Sequence, residues 1–206
     1  MNKYWQHFKT ITKHRHKVMW LCFRIRLYKQ GLLHDLSKYS PTEFITSAKY
    51  YQGTSSPIDA EKKDKGYSLA WLHHRGHNPH HWEYWIDNIG PHETEVQCQF
   101  RPSIETEYQN KLGLGNRLFT VKKYQSNPNA IDIPYNYILE MICDMVAAGQ
   151  VYLGDEWTNK SPLEFYNKNK NYMLLTDSTR KLLEHWLNAI ANDGLESFIM
   201  RARRWK

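Results

Sequence analysis

Leu32-Leu33-His34-Asp35-Leu36-Ser37-Lys38 sets an imidazole and a carboxylate on neighbouring residues, followed three positions later by a lysine. Nitrogen and oxygen donors in combination suit a hard or borderline divalent ion at a hydrolytic site, where open positions are left for water and substrate. Neighbours on a regular helix diverge by about 100°, so both meet one ion only at a helix turn or when the ion lies near the axis between them. The pair is therefore informative only with partners from elsewhere. Gly31 breaks the preceding pattern, and Leu32 to Leu36 is expected to form a short buried segment. Ser40-Pro41-Thr42-Glu43 then predicts a helix start with proline in the first turn, running to about Tyr51.

Partners are present on both sides. Upstream, Trp5, Phe8, Ile11, Val18, Leu21, Cys22 and Ile25 follow a helical period through Tyr4 to Tyr28, predicting one or two helices that carry His14 and His16. Downstream, Gly53 to Gly66 has a loop-like composition, Tyr67 to His74 has helical spacing, and Gly76 to Pro79 interrupts it. Of the chain's eleven histidines, six fall among His73, His74, His77, His80, His81 and His92, a density that itself suggests a metal. Tyr135 to Tyr152 has one broad apolar face and carries Asp144. Glu140 lies one turn earlier on that helix, placed to orient a ligand, to hold a water, or only to pair with a lysine. A capped start is expected at Ser161, and Thr179 to Ile190 is the last clear helix expected.

The order of these residues, a histidine, then His34-Asp35, then the paired histidines, then Asp144, resembles the signature of the HD-domain metal-dependent phosphohydrolases. HDLSK at positions 34–38 matches that superfamily's HD-x-x-K form, and AWLHHRGHNPHHWEYW at 70–85 adds to the likeness. More narrowly, the spacing after His14, GLLHDLSKYSPTEF, AKYYQG, AWLHH, NPHHWEYW, EMICDM and SPLEFY near 161 resemble a family of unknown function found in bacteria and their phages. That likeness covers most of the chain. It implies an all-α fold, an HD-domain-like helical bundle over residues 1–156 with an irregular insertion at about 91–134. A C-terminal helical extension, 157–206, is expected to pack on the same core.

The resemblance also implies roles. His14 and His16 compete as first ligand, and His14 is favoured because Val18 follows four residues later, as the superfamily's first helix usually has it. The metal set is then His14, His34, Asp35, His74, His81 and Asp144, holding one or two divalent ions (Mn, Fe, Co, Mg or Zn). One residue of His73/His74 and one of His80/His81 would serve a second ion, although the pairs lie closer together than in two-metal members. Asp35 would also orient the attacking water, while Lys38, Arg75 and the unligated His73 and His80 neutralise phosphate or protonate the leaving oxygen. His77 has no counterpart in the motif.

Bulk properties narrow the function classes. At 206 residues, 41% apolar and 14% aromatic, the chain is long enough for one well-filled core and unlike a disordered sequence. The longest apolar stretch, Val18 to Phe23, is cut by Arg24 and Arg26, so no membrane span and a cytoplasmic location are expected. Cys22, Cys98 and Cys143 lack any CxxC spacing, which argues against a disulfide framework or a thiolate zinc site. A net charge of +7 favours an anionic partner. The expected partner is an anionic small-molecule substrate, a nucleotide or cyclic nucleotide. Nucleic acid is suggested only by the basic tail Arg201 to Lys206, since Trp71, Trp82, Tyr84 and Trp85 suit core packing as well as base stacking. His7, His92 and His185 are expected to be structural. Two rival readings are a di-iron centre that activates oxygen and a non-catalytic module that binds a nucleotide or nucleic acid on the same scaffold.

Overall fold

The computed structural model describes residues 2–53, 55–87 and 129–204. Among them the chain is all-α, with α1 (Lys3–Arg24), α2 (Tyr28–Leu33), α3 (Pro41–Tyr50), α4 (Pro57–Lys65) and α5 (Leu69–His77) before the gap. After it come α6 (Tyr135–Tyr152), α7 (Ser161–Asn169), α8 (Asp177–Asp193) and α9 (Leu195–Arg204). Short 3₁₀ turns lie at Leu36–Tyr39, Trp82–Trp85 and Gly154–Glu156.

Helix α1 begins where the Asn2 side chain accepts from the Tyr4 amide at 2.9 Å. It buries His7, Ile11, His14, Val18, Leu21 and Cys22, a stripe at intervals of three and four that includes two histidines. Arg26, in the left-handed region at φ 67°, turns the chain back so that α2 closes against α1. Gly31 permits that approach: a Cβ there would lie 3.0 Å from Cys22 Cβ and 3.1 Å from the Phe23 ring. Helix α6 packs along α1, α3 packs on α5, and α9 lies against α8.

One apolar cluster joins α1, α6, α7, α8 and α9, with Val18, Ile142, Val146, Leu183, Trp186, Leu187, Ile190 and Phe198 at its centre. Burying each such side chain contributes roughly 1.5–3 kcal/mol. Trp186 and Phe198 meet edge to face at 5.4 Å. The cluster draws on residues both before and after position 156.

The structure corrects several local expectations. Leu32, Leu33 and Leu36 are exposed, whereas His34 and Asp35 between them are each only 1% exposed, so the segment buries its polar residues and presents its leucines to solvent. Residues 53–66 are not simply loop, since α4 fills most of them between Pro57 in its first turn and the left-handed Gly66 at its end. Thr179 to Ile190 is not the last helix: α9 follows, burying Phe198, Ile199 and Ala202. The tail is therefore partly docked, with Arg201 paired to Asp193 at 3.1 Å and lying over the Trp186 ring. Most of the insertion expected at 91–134, together with His92 and Cys98, lies outside the described residues. At its margins Ile86 and Ala130 form an isolated antiparallel bridge. No helix among the described residues is long and apolar enough to cross a membrane.

Candidate metal centre

The divergence of neighbouring side chains is resolved by the backbone. His34 is the C-cap of α2, and Asp35 is left-handed at φ 55°, a region costly for most residues and tolerated best by Asn and Asp. This break at the helix end turns both side chains inward. The Arg15 guanidinium fixes the turn by donating to the carbonyls of His34 at 3.0 Å and Leu32 at 2.5 Å. The 3₁₀ turn that follows carries Lys38 back to Asp35, its ammonium 2.5 Å from Oδ2.

The two oxygens of Asp35 face two different sets of donors. Oδ2 lies 3.4 Å from His14 Nε2 and 3.3 Å from His34 Nε2. Asp144 Oδ1, brought in by α6, lies 3.0 Å and 3.5 Å from the same two nitrogens. Oδ1 lies 3.3 Å from His74 Nε2 and 3.5 Å from His80 Nε2, and His81 Nε2 is 2.9 Å from His74 Nε2. Two groups of four ligand atoms thus share Asp35. Ligand bonds of about 2.0–2.2 Å place adjacent ligand atoms roughly 3.0–3.5 Å apart, near the distances of the pairs above, and all the ligand atoms of each group lie within 4.8 Å of one another.

Burial gives these contacts their meaning. His14 Nε2, His34 Nε2, His80 Nε2 and Asp35 Oδ1 are shielded from solvent and have no aligned hydrogen-bond partner, while the equally shielded Asp35 Oδ2 has the Lys38 ammonium beside it. Dehydrated polar atoms are nearly always paired, and leaving one unpaired costs on the order of 1–3 kcal/mol. A set this close together and unpaired fits a cation as its common partner.

Carboxylates behind the imidazoles aim them. Glu140 Oε1 accepts from His34 Nδ1 at 2.9 Å and lies 3.2 Å from His80 Nδ1, so both rings turn Nε2 toward Asp35. Glu43, buried on α3, accepts from His74 Nδ1 at 2.8 Å and from His73 Nδ1 at 2.6 Å. Asn78 donates to Ser37 Oγ and to the His74 carbonyl, tying the end of α5 to the 3₁₀ turn. This outer layer of acid behind imidazole is the arrangement that fixes the tautomer of metal-binding histidines.

The electrostatics follow from the same crowding. Burial by itself works against charge on Asp35, but the surrounding His34, Lys38, His74 and His14 outweigh it and hold its carboxyl well below the usual range. Asp144 is likewise lowered, against its burial, by His14 and His34. His34, whose burial disfavours protonation, is raised overall by Asp35, Asp144 and Glu140. His81 goes well below the usual histidine value, through burial and then the neighbouring His80 and His74.

Not every sequence candidate joins the centre. His14, His34, Asp35, Asp144, His74, His80 and His81 converge, and Lys38 touches them through Asp35. His16 is exposed on another face of α1. His73 is turned onto Glu43 and stacks on His77 at 4.0 Å, outside both ligand groups. Arg75, next to His74 in sequence, makes no ion pair with the site's carboxylates among the described residues and acts electrostatically on Glu83. Trp82 and Trp85 pack against the apolar cluster, while Trp71 lies against His81 at 4.9 Å, with the Lys62 ammonium over its ring at 5.0 Å. The residue that sequence reasoning missed is Glu43. Its signal was the S-x-x-E pattern of a capping box, in which the glutamate turns back to the helix start. Here Ser40 does accept from the Glu43 amide, at 3.4 Å, but the carboxylate is used on the histidines instead.

An all-α chain with two histidine and carboxylate ligand groups sharing one aspartate is a candidate binuclear metal protein. It belongs to a family of unknown function, DUF5662, whose model matches residues 3–189. No curated protein and no solved structure matches the chain.

Proposed function

We propose that this protein is an HD-type, metal-dependent phosphohydrolase acting on a nucleotide or a related phosphate ester. The observation that carries the reading is the buried Asp35, whose two oxygens each face a separate set of imidazoles, among which the Nε2 atoms of His14, His34 and His80 have no aligned hydrogen-bond partner. His14, His34, Asp35 and Asp144 would hold one ion; Asp35, His74, His80 and His81 would hold the other. Divalent ions bound there would supply a Lewis acid for a phosphoryl oxygen and a water acidic enough to attack at neutral pH. The chain's own groups do the rest. Glu140 and Glu43 hold the imidazoles in place, and Asp35 is a ready acceptor because its neighbours keep it ionised. Lys38, kept charged by Asp35 and Asp144 and with its side chain 26% exposed, is positioned to meet an incoming phosphate.

The test is elemental analysis of the purified protein beside Asp35→Ala, followed by a nucleotide phosphatase screen with Mn²⁺, Co²⁺ and Fe²⁺. About two ions per chain, lost in the variant together with turnover while helicity is retained, is the expected result. Full activity in Asp35→Ala would sink the assignment, and metal without turnover on any phosphate ester would leave a binding module. A di-iron, oxygen-activating centre is the second reading, favoured by the histidine-rich group in which His74 and His80 face Asp35 Oδ1 and His81 lies beside His74. Iron as the bound metal, with visible colour and oxygen uptake, would select it.

A further inference from the structure

The positive charge of this chain is concentrated on one helix. Helix α1 carries Lys3, Lys9, Lys13, Arg15, Lys17 and Arg24 and no carboxylate, a charge of +6. The chain's 28 basic and 21 acidic residues leave 28 − 6 = 22 against 21 elsewhere, which is nearly neutral. Arg15 is held on the carbonyls of the His34 turn and Arg24 on Glu196, while Lys17 donates to Gln150 at 3.1 Å and Lys9 lies over the Trp5 ring. Lys9, Lys13 and Lys17 stand on one outer strip at four-residue intervals, a rise of roughly 6 Å per step, with charge that exceeds these neutral partners.

That strip is grooved. A depression of about 790 Å³ is bordered by Phe8, Lys13, His16, Lys17 and Trp20, with Gln150 of α6 on its far side. A second, of about 640 Å³, continues it past Lys9 to Lys3 and Tyr51. Among the described residues, no carboxylate lines either. Exposed rings punctuate the lysines: Trp5, stacked on Phe8 at 5.4 Å, is 54% exposed, and Trp20, with the Arg24 guanidinium over its ring at 4.5 Å, is 56% exposed. The continuous apolar stripe of α1 faces the interior, and the exposed rings of Trp5, Phe8 and Trp20 are interleaved with Lys9, Lys13 and Lys17 instead of forming an unbroken apolar face.

We infer that this strip is a binding track for single-stranded nucleic acid. Lysines spaced along one line meet successive phosphates, and the exposed indoles supply π-faces for unpaired bases, which a duplex does not offer. The track is distinct from the ligand groups around Asp35, so strand binding stands whether or not the proposed reaction does.

Fluorescence anisotropy of a labelled oligothymidylate on the full-length protein tests this, with salt as the variable. Wild type binds, and the affinity falls with salt at a log–log slope of about −2 for three lysine contacts. Replacing Lys9, Lys13 and Lys17 together by Gln flattens that slope and weakens binding at least ten-fold at low salt, with helicity and metal content unchanged. Trp20→Ala weakens binding about five-fold or more while the slope stays the same. Asp144→Ala loses metal and keeps the strand. Absence of wild-type binding at low salt, or equal binding by the triple-Gln variant, overturns the inference. So does equal affinity for the matching duplex, preferential capture by phosphatidylserine vesicles, or loss of the strand in Asp144→Ala.

Discussion

Asp35 and Trp186 are both 1% exposed, yet the interiors around them are held together by different physics. Around Trp186 the contacts among Leu183, Leu187, Ile190 and Phe198 are complete within the chain, because apolar surfaces need only each other. Around Asp35 the imidazoles and carboxylates are mostly dehydrated too, but His14 Nε2, His34 Nε2, His80 Nε2 and Asp35 Oδ1 lack aligned partners. Helix α6 serves both regions, with Ile142 and Val146 in the apolar cluster and Glu140 and Asp144 at the polar one. One interior supports the fold; the other has the donors and spacing that could hold a metal ion.

Three measurements sharpen that contrast, the largest effect first. Trp186→Ala should cost about 3–5 kcal/mol in urea unfolding while the metal content of the folded fraction is unchanged. Loss of metal alongside stability would mean that the two interiors are one cooperative unit.

The next concerns His7, a buried histidine outside both ligand groups, enclosed by Phe44 and Tyr51. Burial, then the charge of Lys38, lowers its pKa from 6.5 to about 4. Because the folded value lies below the unfolded one, the unfolded chain takes up the proton first. The stability that His7 contributes is complete above about pH 6.5, declines as pH falls toward 4, and amounts to on the order of 3 kcal/mol. His7→Phe should remove this part of the acid profile, which the difference between wild-type and variant unfolding curves measures. Parallel curves between pH 4 and 6.5 would refute it.

The smallest effect is expected at Glu43→Gln, which removes charge behind His74 without touching the ligand atoms. Metal affinity should fall about 10- to 100-fold, with the apolar core and the unfolding midpoint of the metal-free protein unchanged. An unaltered affinity in metal titration would reduce Glu43 to a structural partner of the histidines.

What was legible in the sequence, and what was not, follows from the range over which each signal acts. His34-Asp35, Lys38 and the apolar face of α6 are local patterns, and the structure gathers them as neighbours. The leucines flanking His34-Asp35 misled because hydrophobicity argued for their burial, whereas the helix end at His34 and the left-handed Asp35 turn the polar pair inward instead. Helix α4 hid behind a polar composition, although Pro57 near its start and Gly66 at its end were standard boundary marks. Helix α9 was obscured by arginines, its buried face reduced to Phe198, Ile199 and Ala202. Glu43 carried a local capping pattern that tertiary contacts with His73 and His74 override, and no spacing rule announces a partner thirty residues away. His14 and His16 were separable only once the buried face of α1 was known.

The order of the ligands along the chain has a consequence in time. Asp35, His74, His80 and His81 all lie in the first 81 residues, whereas the group that includes His14 and His34 waits for Asp144. At ordinary rates of synthesis several seconds separate the emergence of His81 from that of Asp144. The nascent chain therefore owns every donor of one half of the centre while the other half still lacks its acid. Were the proposed ions to bind, birth order alone would make the two halves unequal competitors for the first one.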